Sequence, residues 1–176
     1  MGAPPPAPVG RRPHLVGRAL MLIEAKPDDF AALLRGEAPA PYRLADSPVA
    51  PPEVLDMLAQ LADRIRAVFS PSAWMMVEDG EVVGLISSVQ PLDAADRSLL
   101  IGYGVAPTRW GRGVATRAVA DLAAWARRDN RLLALTAETS VDNPASQTVL
   151  SRNGFQAVGE REDSEDGSLI VWRLDL

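Results

Sequence analysis

Cysteine is missing from this sequence, which rules out disulfides, thiolate metal sites and thiol nucleophiles and is compatible with a reducing cytoplasm. The one histidine, His14, sits in a proline-rich head. Neither a histidine-based catalytic triad nor a multi-histidine metal site can therefore be assembled from this chain, and no metal is expected. Lysine is nearly absent too: Lys26 is alone, and the remaining basic residues are arginine. With a net charge of -5 and no basic run, the chain lacks the electrostatic footprint of a nucleic-acid-binding protein. Long apolar runs are also missing. None approaches the roughly 20 residues that span a bilayer, and Arg18 and Glu24 interrupt the apolar part of "RRPHLVGRALMLIEA". A cytoplasmic protein without membrane attachment is the expectation.

What remains is ordinary globular material: 176 residues, 47% hydrophobic and 23% charged, enough for one domain with a real core. The head, residues 1–18, is too rich in proline to pair in a sheet and reads as a flexible extension, with Met21 an alternative start. The domain is expected over 19–176. "ALMLIEA" reads as a strand, and "PDDFAALLRG" as a short helix opened by proline and acids and closed by Gly36. After a proline-rich loop, "PPEVLDMLAQLADRIRAVFS" places Val54, Leu58, Leu61, Ile65 and Val68 at helical spacing. "WMMVEDGEVVGLISSV" then predicts a hairpin turning at Asp79 and Gly80, and "SLLIGYGV" a further strand ending at Pro107.

"GVATRAVADLAAWARRDN" predicts a helix burying Ala115, Ala118, Val119, Leu122 and Ala126, with arginines in its last turn. "LLALTAETS" is a strand. In "DNPASQTVLSRNGF", Asn143 is the N-cap of a short helix, Pro144 its first residue, and Asn153 with Gly154 its left-handed stop. "FQAVGE" and "SLIVWRLDL" close the chain as a hairpin around the polar loop "REDSEDG". The order is that of a mixed α/β (α+β) domain with an antiparallel first half, unlike the alternating doubly wound folds.

One stretch, "GVAPTRWGRGVATRAV", runs from strand through glycines into a helix. Such a turn gathers unpaired N–H groups at the positive end of a helix dipole, where phosphate is the natural occupant. Gly111 and Gly113 leave room for close approach, and Arg109 and Arg112 can add charge at the rim. A plain strand-to-helix turn with solvated arginines explains the glycines equally well. Rival phosphate motifs fit poorly: no lysine is present for a P-loop, and Thr116 stands where a dinucleotide fingerprint needs glycine or alanine.

Together, "IGYGVAPTRWGRGVATRAV" and "AETSVDNPASQTVLSRNGFQAVGE" resemble the GNAT superfamily of acetyl-CoA-dependent N-acetyltransferases, in particular the branch of ribosomal-protein N-terminal acetyltransferases. The family motif Gln/Arg-x-x-Gly-x-Gly/Ala is filled here by Trp110, Gly111, Arg112, Gly113, Val114 and Ala115, with tryptophan in first place. The likeness covers about Trp74 to the C-terminus, including the hairpin "DGEVVGLI". It implies a single domain with helices on both faces of a mostly antiparallel sheet, splayed between the strand holding Gly102 to Val105 and the strand holding Ala134 to Ser140. It further implies that the pantetheine arm of acetyl-CoA fills the splay beside Val105, that Gly111 to Thr116 hold the pyrophosphate, and that Asn143 reaches the cosubstrate.

Amide formation from a thioester needs a polarised carbonyl, a neutral amine and a stabilised leaving thiolate. The Val105 N–H is the expected carbonyl polariser. The family's acid, a tyrosine four residues before the glycine of "GF", is replaced by Leu150, and Ser146 matches a serine assigned that role in the ribosomal-protein branch. No base is assigned: Leu100 stands where relatives carry glutamate, and strand alternation leaves Glu138 and Tyr103 facing either solvent or core. Trp74, Trp125 and Trp172 read as core or interface. The expected activity is acetyl transfer to a primary amine of a small molecule or a protein N-terminus, as a homodimer if the resemblance extends to assembly. The alternative, motivated by Leu100 and Leu150, is a CoA-binding sensor or scaffold without turnover.

Overall fold

The computed structural model describes residues 19–176; the proline-rich head at 1–18, including His14, lies outside the described residues. The elements are β1 (Leu20–Glu24), α1 (Pro27–Leu34), β2 (Arg43–Leu44), α2 (Pro52–Arg66), β3 (Ala73–Glu78), β4 (Glu81–Ser88), β5 (Ser98–Val105), α3 (Val114–Ala126), β6 (Ala134–Ser140), α4 (Pro144–Arg152), β7 (Gln156–Asp163) and β8 (Gly167–Asp175). One sheet runs β1-β3-β4-β5-β6-β8-β7, with β2 beside β4. Its long strands pair antiparallel except β5 with β6, which are parallel and joined by the α3 crossover.

Alternation along β3 distributes the core between the two faces. Trp74 and Met76 pack with Ala118, Val119 and Leu122 of α3 and Leu150 of α4, whereas Met75 and Val77 pack with Phe30 and Leu33 of α1 and Leu55 and Ala62 of α2. The β3–β4 turn has Asp79 at φ 52° and Gly80 at φ 79°, the pair of left-handed residues that matches the twist of a two-residue hairpin.

Several expectations shift. In α2 the contact face is Leu55, Ala62 and Ile65, continued by Phe69, while Val68 is 72% exposed and Val54 only half-buried. Ala62 is buried with Leu55 and Ile65, whereas Leu58 and Leu61 are only half-buried. In α3, Val114 takes the buried place expected of Ala115, and Arg127 caps the helix end rather than lying within it. The two-residue β2 within the proline-rich loop was not expected. Strand β7 runs on to Asp163, so pairing with β8 overrides the polar character of residues 161–163 and the turn shrinks to 164–166.

The central feature is a wedge. Strands β5 and β6 pair only from Ser98↔Ala134 to Ile101↔Ala137. Beyond that, Gly102 to Val105 stay with β4 and Glu138 to Ser140 stay with β8. Gly84, opposite Val105, makes the departure of β5 sterically feasible: a Cβ there would lie 2.4 Å from the Gly104 carbonyl oxygen and 3.2 Å from the Val105 Cα.

Candidate functional site

Backbone alternation decides what the wedge presents. Ala106 donates its N–H to the Val83 carbonyl at 2.8 Å, and Val89 donates to the Leu100 carbonyl. The even-numbered residues of β5 therefore face β4, which turns the N–H and C=O groups of Tyr103 and Val105 into the gap. Both residues are half-buried, and on this side their backbone groups have no strand partner. The Val105 carbonyl accepts a bond from the Trp110 indole Nε1 at 2.6 Å, with Trp110 itself 69% exposed.

The chain then makes one 3-10 turn, Pro107–Arg109, and passes Gly111 at φ 70° and Gly113 at φ 71° before entering α3. Both glycines serve the left-handed backbone; a Cβ at Gly111 would meet nothing within 4 Å, so close packing is not what demands glycine there. Among the described residues no side chain caps α3, and its first helical bond closes from Arg117 N–H to the Gly113 carbonyl, so the N–H groups of Val114, Ala115 and Thr116 have no helical acceptor. They border a cleft of about 620 Å³ between α3 and α4, which Val105, Trp110, Gly111, Asn143 and Ser146 also line.

Arg109 lines the cleft, but its guanidinium is already engaged. Its side chain is almost buried, donates to Glu81 at 2.6 Å and lies 3.5 Å from Asp46; the Glu81 bond, more than the adjoining charges, holds its pKa up. Arg112 faces a separate polar recess shared with Arg43, Glu78 and Glu81, so of the expected cofactor residues it alone is not in the cleft. Two residues without a sequence signal brace the turn instead: Arg117 donates to the Arg112 carbonyl at 2.9 Å and pairs with buried Glu78. Arg152, at the end of α4, contributes positive charge to the cleft.

Across the cleft, Asn143 is the N-cap of α4, its Oδ1 accepting the Ser146 N–H at 3.0 Å. The Ser146 hydroxyl donates to the Tyr103 hydroxyl at 3.0 Å, and Tyr103 donates to the Ser146 carbonyl at 3.1 Å. Burial raises the Tyr103 pKa above its ordinary value, against the opposing effect of the Ser146 bond. Leu150 is fully buried in the core. Tyr103 shares the face of Ile101, which packs on the α3 side, so Glu138, one residue past Ala137 in the same pairing, turns to the opposite face. There Arg161 grips it with two bonds of 2.7 Å and Asp163 with one of 2.9 Å. Asp163 is pulled down to about 2, first by the Glu165 N–H, then by Arg161 and the Asp166 N–H. Trp74 and Trp125 stack edge to face at 5.0 Å in the core, and Trp172 donates to Thr139, as large aromatics with satisfied polar tips do.

A splayed sheet whose gap leads to a glycine turn and a bare helix N-terminus defines the class. The model of the acetyltransferase (GNAT) domain matches residues 19–156, and the chain belongs to that family. Solved structures of similar fold include RimL, a ribosomal L7/L12 alpha-N-protein acetyltransferase in complex with coenzyme A, at 18% identity and TM-score 0.66 over 89% of this chain and 94% of that one. RimJ of Mycobacterium smegmatis, in complex with a CoA disulfide, matches at 23% identity and TM-score 0.66, over 89% and 81%. The microcin C7 self-immunity acetyltransferase MccE, in complex with acetyl-CoA and AMP, matches at 15% identity and TM-score 0.63, over 89% and 92%. No curated protein matches the sequence.

Proposed function

We propose that this chain transfers an acetyl group from acetyl-CoA to a primary amine by direct attack on the thioester. The observation that carries the reading is the wedge, with unpaired strand backbone at one end and the uncapped α3 N-terminus at the other. The N–H groups of Val114 to Thr116, at the positive end of the helix dipole, suit a pyrophosphate, with Arg152 adding charge from α4. The N–H and C=O of Tyr103 and Val105 suit an extended amide-bearing arm, and the Val105 N–H can polarise a thioester carbonyl. Asn143 and Ser146 close the other wall.

The acceptor approaches from the face bearing Glu138, because the α3–α4 face belongs to the donor. Neighbouring structures carry names that span a protein N-terminus (RimL) and a small polyamine (spermidine N-acetyltransferase), so an amine of either kind suits the fold. Supplying the amine in neutral form is left to alignment and solvent, since Glu138 is held in its ion pair and a thioester is already activated.

Release of free CoA from acetyl-CoA across an amine panel tests the reading; turnover on at least one primary amine is expected. Leu150, buried in the core where relatives carry the acid, favours a second reading, a CoA sensor. Thermal stabilisation by acetyl-CoA with no turnover on any amine would support that one, and no stabilisation would remove both.

Binding has an optical signature. Trp110 is the most exposed of the four tryptophans and its indole occupies the Val105 carbonyl that a bound arm would need. Acetyl-CoA should displace the indole and change the intrinsic fluorescence. Trp110→Phe should abolish most of that change while leaving affinity within about threefold, the worth of one exposed hydrogen bond. An unaltered signal in Trp110→Phe would place the change at another tryptophan.

A further inference from the structure

The proposed acetyl transfer leaves a gap in the chemistry. The departing sulfur needs a donor, and the residue at the family's acid position, Leu150, is an aliphatic side chain sealed in the core. One phenol does reach the cleft from elsewhere. Tyr103 comes from β5, not α4, and shares the alternating set of Val105, so its backbone faces the wedge while its ring packs toward α4. Its hydroxyl meets Ser146 twice, accepting from the Ser146 hydroxyl and donating to the Ser146 carbonyl.

We propose, resting on the acetyl-transfer reading, that Tyr103 is a positioning residue that orients the Ser146 hydroxyl as the hydrogen-bond donor to the departing CoA thiolate. As the amine nitrogen bonds to the acetyl carbon, the C–S bond breaks and its electron pair leaves on sulfur. The proton released by nitrogen goes to solvent. Both hydroxyls are free rotors. An anionic sulfur is a stronger acceptor than a phenol oxygen, so the Ser146 hydrogen turns to it, and the Tyr103 hydrogen can turn from the carbonyl to the vacated Ser146 oxygen. The chain Tyr103 to Ser146 to sulfur then polarises along its length.

Relative acidity fixes the role. A thiol titrates near about 8.5 and a phenol near about 10, and burial raises Tyr103 further. Complete transfer from Tyr103 to sulfur is uphill, whereas a donor that never ionises in the working range can stabilise the thiolate throughout, and the thiol proton comes from solvent on release. Without Tyr103, the Ser146 hydroxyl would be free to turn to water or to the carbonyl of Asn143, three residues back at the N-cap.

Single and double variants read this directly. Tyr103→Phe keeps the ring and removes one oxygen; kcat should fall about tenfold, the effect of one charge-assisted hydrogen bond in the transition state, with the acetyl-CoA Kd unchanged within about twofold. Ser146→Ala should cost at least as much, and the double variant should be no slower than Ser146→Ala alone, because Tyr103 acts through Ser146. Losses that multiply, or a Tyr103→Phe enzyme with wild-type kcat, would overturn the proposal. If Tyr103→Phe does not fold, 3-fluorotyrosine in the Tyr42→Phe chain places the label at Tyr103 alone. Its more acidic phenol should bring an alkaline fall in kcat to lower pH than in the unlabelled Tyr42→Phe chain, where Tyr103 stays protonated across the working range. Among the described residues the charged side chains lining the cleft are Arg109, engaged by Glu81, and Arg152. An unmoved limb overturns the proposal. A wild-type chain that releases no CoA on any amine defeats the acetyl-transfer reading instead, so the two failures are distinct.

Discussion

Gly111→Asp should weaken acetyl-CoA binding by about 100-fold while the protein melts within a few degrees of wild type; Gly111→Asn should lose only about tenfold or less. Nothing lies within 4 Å of a Cβ at this position, and φ is 70°. Aspartate and asparagine tolerate the left-handed region better than other side chains, so both variants should fold. They have the same shape and differ in charge. A carboxylate beside the N–H groups of Val114 to Thr116 would take the place of a phosphate, and two anions at about 4 to 6 Å repel by a few kcal/mol near a protein surface. Calorimetric titration in low and moderate salt checks the pair, and the difference between them should shrink with salt. Equal losses in both would mean that the turn matters for shape and not for an anion.

Gly84→Val should have the largest effect on stability. Its Cβ would stand 2.4 Å from the Gly104 carbonyl oxygen and 2.9 Å from the Met76 sulfur; methionine can move, but the backbone of β5 cannot without shifting the wedge. Overpacking of this kind costs about 1–3 kcal/mol, or a fall of about 3 to 10 °C in Tm for a chain of this length. Loss of acetyl-CoA affinity should accompany it, since Val105 faces Gly84 in the register. Gly104→Ala is the comparison: a Cβ there meets nothing within 4 Å, so Tm should hardly change. A Gly84→Val protein with unchanged Tm and affinity would show that β5 does not depend on the close approach.

Much of this was legible in the residues. The hairpin at Asp79 and Gly80, the cap at Asn143 and the stop at Gly154 each depend on local chemistry, and each forms as read. The splay was implied by resemblance alone, because a strand that pairs on one side for half its length carries the same apolar residues as one paired throughout. Side-chain commitments were harder to read. Arg109 looks like a rim charge until folding brings Glu81 and Asp46 beside it from distant positions. Gly84 looks like any strand glycine until the Gly104 carbonyl lies against it. For Tyr103 and Glu138, alternation says that the two point oppositely only once the register Ile101↔Ala137 is known.

The most direct measurement follows individual backbone amides by NMR as acetyl-CoA is added. The Val105 N–H and the N–H groups of Gly113 to Thr116 should shift strongly and gain protection from solvent exchange, while amides of α1 and of the β7–β8 turn stay unchanged. Saturable binding that leaves Val105 and the α3 N-terminus unperturbed would contradict the placement of the donor in the wedge.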